Sequence, residues 1–153
     1  KDMLEIIKTK TQHDNIVILN PDINDLLNDT IYKLEVGESI FYVPLWHNEI
    51  VFDDVSGNDL IVKCIPEFDD RIYIDNMNHL HIKDERSIIK ILEDEKVVVN
   101  IGNKVFEING NEINIIKTQT VVLNNKGILL ADPENLYNID KRGDIYIHLT
   151  IVE

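Results

Sequence analysis

INDLLNDTIYKLEVGESIFYV (residues 23–43) and IIKILEDEKVVVNIGNKVFEI (residues 88–108) superpose without a gap at a shift of 65 residues. Ile23 falls on Ile88, Leu26 on Ile91 and Leu27 on Leu92, then Leu34 on Val99 and Val36 on Ile101. Gly37 falls on Gly102, Phe41 on Phe106 and Val43 on Ile108. Apolar residues at i, i+3 and i+4 predict a short helix at the start of each copy. Two runs rich in Ile and Val then flank a glycine, which predicts strand, bend, strand. A fixed long period points to duplicated units rather than one continuous pattern.

Working outward, Ile16 to Leu19 predicts a strand before the first helix, with Asn20-Pro21-Asp22 as break and cap. Ile50 to Phe52 and Asp59 to Ile65 predict two more strands, separated by a polar turn at 53–58 and closed by Pro66. Ile72 to Ile74 and Leu80 to Ile82 predict a hairpin across Asp75–Asn78. Asn109-Gly110 carries a two-residue hairpin signal. Strands are expected at Ile113–Lys117, Thr120–Leu123 and Ile145–Val152, with a long polar loop at 128–142. The entry to the last strand, Gly143-Asp144-Ile145-Tyr146-Ile147, resembles Gly57-Asn58-Asp59-Leu60-Ile61-Val62. The expected fold is all-β with one short helix per domain, in two tandem sandwich-like domains, residues 1–82 and 83–153. Residues 1–12 are expected to be an extended lead-in.

Composition agrees. Ile and Val abound and alanine, the best helix former, is nearly absent. The net charge of −13 disfavours nucleic acid and anionic membranes, whose recognition needs Lys and Arg. No apolar run approaches the roughly 20 residues of a spanning helix, and no signal-peptide pattern opens the chain. A lone cysteine, Cys64, excludes an intrachain disulfide and points to a reducing, cytoplasmic setting. Residue 1 is Lys, so a piece of a longer protein is expected.

The ordered set resembles the C-terminal substrate-binding domains of DnaJ-type co-chaperones, the forty-kilodalton heat-shock class. The residues that carry the resemblance are Lys126-Gly127-Ile128, then Lys141-Arg142-Gly143-Asp144-Ile145-Tyr146-Ile147, near the end of the chain. His47 to Phe52 with Gly57 to Val62 is similar to the first such domain, and the helix starts at Asp22 and Ser87 fit the same family. The zinc-binding Cys-x-x-Cys repeats, the J-domain and the C-terminal dimerisation helix are absent from these residues. The resemblance is therefore to the zinc-free class, and a homodimer would need residues that this chain lacks.

The resemblance implies a non-enzymatic protein, without cofactor or metal, that binds extended hydrophobic segments of unfolded clients for delivery to a seventy-kilodalton heat-shock chaperone. Carried over by spacing, the peptide-binding positions are Val17, Leu19, Leu34 and Val36, with Ile72 as a floor. Lys33 is the one cation placed to receive that chaperone's acidic tail, and Glu35 and Glu38 flank it. The alternative is a scaffolding module of the same fold with one fixed partner and no general client binding.

Other chemistry has less support. His79 and His81 are spaced to share one strand face, with Asp75 nearby as a third metal ligand. Packed or solvated histidines are the commoner outcome, and no metal site is expected. Cys64 lies in an apolar strand and is expected to be buried and inert. Asp53-Asp54 and Asp69-Asp70 are adjacent carboxylates in turns, where solvated side chains are the default.

Overall fold

The computed structural model describes residues 6–10, 15–53 and 59–153. The chain is all-β, with two short helices and multiple sheets. It divides into two compact units. Unit 1 comprises residues 1–67 and 128–141, and unit 2 comprises residues 68–127 and 142–153.

Unit 1 contains β1 (Ile6–Lys10), β2 (Asn15–Leu19), α1 (Ile23–Leu27), β3 (Ile31–Val36), β4 (Ser39–Pro44), β5 (Glu49–Phe52) and β6 (Leu60–Cys64). Its four-stranded sheet has the order β1-β2-β6-β5, with β2 and β6 parallel and the outer pairs antiparallel. β3 and β4 form a separate hairpin. Asp22 starts α1 through a capping box: its Oδ1 accepts from the Asp25 N–H at 2.8 Å, and Asp25 Oδ2 accepts from the Asp22 N–H at 3.1 Å. The hairpin turns at Gly37, whose φ of 61° lies in the left-handed region that glycine adopts freely. The core is one face of the sheet, with Val17, Leu19, Ile50, Leu60, Val62 and Cys64 buried, together with Leu26, Leu27, Leu34 and Val43.

Unit 2 contains β7 (Ile72–Ile74), β8 (Leu80–Ser87), α2 (Ile88–Asp94), β9 (Lys96–Ile101), β10 (Lys104–Asn109), β11 (Thr118–Leu123) and β12 (Ile145–Val152). Its sheet order is β7-β8-β12-β11, again with a parallel central pair and antiparallel outer pairs. β9 and β10 form the separate hairpin, bent at Gly102 with φ 59°. The topology of unit 1 is thus repeated strand for strand. The 65-residue shift carries β3 onto β9 and β4 onto β10, end to end. It also carries β2 onto the start of β8. The parallel pairs share a register, since Asn15 faces Leu60 as Leu80 faces Ile145.

Four expectations are corrected. The boundary at 82/83 falls inside β8, which runs from Leu80 to Ser87. The hairpin β7–β8 opens the second copy rather than closing the first, because the parallel partner of β8 is the distant β12. Asn109-Gly110 does not make a hairpin: Gly110–Glu112 is a 3-10 turn and residues 113–117 form no strand. Gly110 is there for close approach, since a Cβ on it would lie 2.9 Å from the Glu95 carbonyl oxygen, which accepts the Gly110 N–H. Finally, the loop at 128–141 belongs to unit 1, and its Ile128 and Leu129 are buried. Residues 1–5, 11–14 and 54–58 lie outside the described residues, so parts of the expected lead-in and of the 53–58 turn, and the Gly57-Asn58 half of the strand-entry match, do too.

Candidate functional site

The β3–β4 hairpin of unit 1 has two unlike faces because its side chains alternate. Tyr32, Leu34 and Val36 share a face with Phe41 and Val43; Leu34 lies opposite Phe41, and Tyr32 opposite Val43. Leu34 and Val43 are buried, whereas Tyr32, Val36 and Phe41 are half-buried. Phe41 meets Phe52 of β5, with ring centroids 5.1 Å apart. Val36, Phe41 and Phe52 therefore leave apolar surface partly open on unit 1. The other face of the hairpin carries Ile31, Ile40 and Tyr42, all exposed. β3 pairs with β4 alone among the described residues, so the main chain of its second edge is not in a ladder.

The expected binding positions do not all share this openness. Val17, Leu19 and Leu34 are 1%, 0% and 3% exposed and belong to the core of unit 1. Of the carried-over positions on β2 and β3, Val36 alone keeps accessible surface. Ile72 lies in unit 2, on β7 opposite Ile82, whereas the other carried-over positions lie in unit 1. Lys33 is exposed and its Nζ is 3.8 Å from Glu35 Oε1, a surface pair of little energetic weight.

The neighbouring loop is also tied to unit 1 by polar contacts. The Tyr137 hydroxyl donates to the Tyr42 carbonyl at 2.8 Å, and His47 Nε2 donates to the Leu136 carbonyl at 2.9 Å. Burial lowers the His47 pKa below its ordinary value, and the Leu136 carbonyl and the Asp132 carboxylate oppose this only in part. Cys64 is buried, which pushes its thiol pKa up to about 12 and leaves it a poor nucleophile.

A second cluster lies on the outward face of the unit 2 sheet. Register places Tyr73, His81 and Tyr146 in one row across β7, β8 and β12. Their rings run face to face, with centroid separations of 4.5 Å and 5.0 Å. Thr120 and His148 are opposed in the neighbouring part of β11 and β12. Four side chains form a continuous hydrogen-bonded chain: Asp75 Oδ2 to His81 Nε2 at 2.8 Å, His81 Nδ1 to His148 Nε2 at 2.8 Å, and His148 Nδ1 to Thr120 Oγ1 at 3.1 Å.

Burial alone would raise the Asp75 pKa, but hydrogen bonds from His81 and from the His79 and Met77 N–H groups outweigh it and hold the carboxyl below its ordinary range. Burial lowers the His148 pKa, and the charges of His81 and Lys83 lower it further. His79, the expected partner of His81, is engaged elsewhere: its Nδ1 accepts the Asp144 N–H at 2.9 Å. No local pattern signals His148, which is 67 residues from His81 and is brought in by the parallel β8–β12 pair.

No family model matches the chain. No curated protein matches it either. What the fold and sites define is a duplicated all-β chain in which a hairpin with half-open apolar side chains has an edge that pairs with no strand among the described residues. No helix among the described residues is long and apolar enough to cross a membrane.

Proposed function

We propose that this chain is the client-binding region of a DnaJ-type co-chaperone, taking extended apolar polypeptide on unit 1. The observation that carries the reading is the edge of β3 that pairs with no strand among the described residues, on a hairpin whose Val36 and Phe41 are half-open. An extended segment can continue the hairpin as a third strand, its backbone pairing with β3 and alternate side chains contacting apolar surface. Each aliphatic group fully buried this way contributes about 1.5–3 kcal/mol before ordering costs. Partial burial on a half-open surface yields less, which suits weak and reversible capture. The doubled topology and the residue pattern near the chain's end favour the same reading.

The burial of Val17, Leu19 and Leu34 relocates the contact surface. A client meets Val36, Phe41 and the Ile31 end of β3, while the three buried residues support them from below. Transfer to a seventy-kilodalton chaperone is part of the proposal. With Glu35 beside Lys33 and a net charge of −13, electrostatics would do little to draw in an acidic tail at this edge.

The test uses the full chain and a fluorescein-labelled extended peptide rich in Leu and Phe, read by anisotropy, with suppression of aggregation of a reduced, denatured protein as a second readout. Val36→Asp is expected to weaken binding at least tenfold while leaving the unfolding midpoint nearly unchanged. Leu34→Asp is not a clean test, because a buried charge there would unfold unit 1. Unaltered affinity in Val36→Asp and in Phe41→Ser would overturn the proposal.

A further inference from the structure

With both imidazoles neutral, the Asp75–His81–His148–Thr120 chain has one consistent set of proton positions. Asp75 is a carboxylate and can only accept, so His81 Nε2 carries the proton and His81 Nδ1 is a lone pair. His148 Nε2 must then donate to His81, which leaves His148 Nδ1 to accept from the Thr120 hydroxyl. Two imidazole nitrogens therefore face each other 2.8 Å apart, and each ring is fixed at its far nitrogen. That is the outer-shell pattern of metal-ligating histidines, in which the non-ligating nitrogen is held by a carboxylate or another polar group. Asp75 is itself anchored: its Oδ1 accepts the Met77 and His79 N–H groups at 2.9 and 3.0 Å.

The duplication shows that the fold does not require this arrangement. By strand register, Ile16 and Lys63 of unit 1 stand where His81 and His148 stand in unit 2, and Glu49 stands where Thr120 does. The same sheet is thus built without a histidine pair.

We propose that His81 Nδ1 and His148 Nε2 are the two protein ligands of a site for a divalent d-block cation with tetragonal preference, copper(II) or nickel(II) in kind. The 2.8 Å separation is that of the hydrogen bond between the two rings; the preference rests on the donor set, two imidazole nitrogens completed by water, which suits copper(II) or nickel(II). The rings are near parallel at 5°, as a shared proton demands, so a metal requires His148 to tilt until both lone pairs converge. His148 lines a surface depression of about 310 Å³ with Thr118, Gln119, Thr120, Leu149 and Thr150, which gives the ion a route in.

No proton need leave. His148 shifts its ring proton from Nε2 to Nδ1, and the Thr120 hydroxyl turns from donor to acceptor. Among the described residues no three His, Cys, Asp or Glu side chains converge on one point, so water completes the coordination. Lys83, opposite His148 in the register, opposes the cation, and the Asp75 carboxylate favours it.

Copper(II) chloride is titrated into the full chain in the presence of excess magnesium, and electron paramagnetic resonance reads equatorial nitrogen coupling. The expected result is one site with two imidazole nitrogens, weakened at least tenfold by His81→Gln or His148→Gln and unchanged by His79→Gln. Asp75→Asn is expected to cost about 10–100-fold in affinity through the outer shell. Absence of two-nitrogen coupling, or affinity unchanged in the His81/His148 double variant, overturns the proposal. Should a variant not fold, the wild-type histidine ring NMR signals decide: His81 and His148 must broaden first as copper is added, and broadening that begins elsewhere refutes the site.

Discussion

Leu27 and Leu92 occupy the same place in the two copies, yet one is 4% and the other 62% exposed. Truncating each to alanine tests whether the duplication yields equal cores. Removing three buried carbons from Leu27 forfeits about 0.8 kcal/mol per methylene, or about 2.4 kcal/mol, before any cavity term. With that term the cost falls in the range of about 2–5 kcal/mol known for buried Leu→Ala. At Leu92 only about two-fifths of the side chain is out of water, so the same arithmetic leaves about 1 kcal/mol, and the better helix propensity of alanine offsets part of it. Urea unfolding measures both. Trp46, the single tryptophan, is buried in unit 1 and reports the Leu27 variant by fluorescence. Circular dichroism of the β signal follows the Leu92 variant. A Leu92→Ala cost equal to that of Leu27→Ala would refute the reasoning that burial, not helix position, sets the value.

Other consequences are accessible to simple assays. Gly110→Ala should destabilise unit 2 by about 1–3 kcal/mol in urea unfolding, because its Cβ would press on the Glu95 carbonyl. His47 and His148 both have pKa values held below 6.5, so between those values and 6.5 the unfolded chain binds more protons than the native one. Their contribution is present above pH 6.5 and lost as pH falls below it; thermal midpoints should drop on acidification from pH 7, and less so in His148→Gln. Cys64 should resist iodoacetamide in the folded protein and react once urea unfolds unit 1, as mass spectrometry would show.

The repeat was legible because its period-two and helical patterns, and the glycines at the two bends, are local features. Gly37 and Gly102 sit at equivalent bends, as their common register predicts. The division of the chain was not legible, because it depends on a parallel pairing between β8 and β12, segments far apart in sequence. For the same reason Ile72 falls in unit 2, and His81 meets His148 rather than its near neighbour His79. The resemblance places Val17, Leu19 and Leu34 at a pocket, and alternation along a strand cannot say whether their faces are covered. Burial resolves them as core. Gly110 misled because Asn-Gly is usual in hairpins, whereas here the missing Cβ serves the contact with Glu95.

The most direct measurement is an amide NMR titration of the isotope-labelled chain with an unlabelled extended Leu- and Phe-rich peptide. Strand addition predicts the largest shifts, and slowed hydrogen exchange, in Ile31–Val36, with smaller changes at Phe41 and Phe52. Shifts confined to other strands, or none up to millimolar peptide, would contradict it.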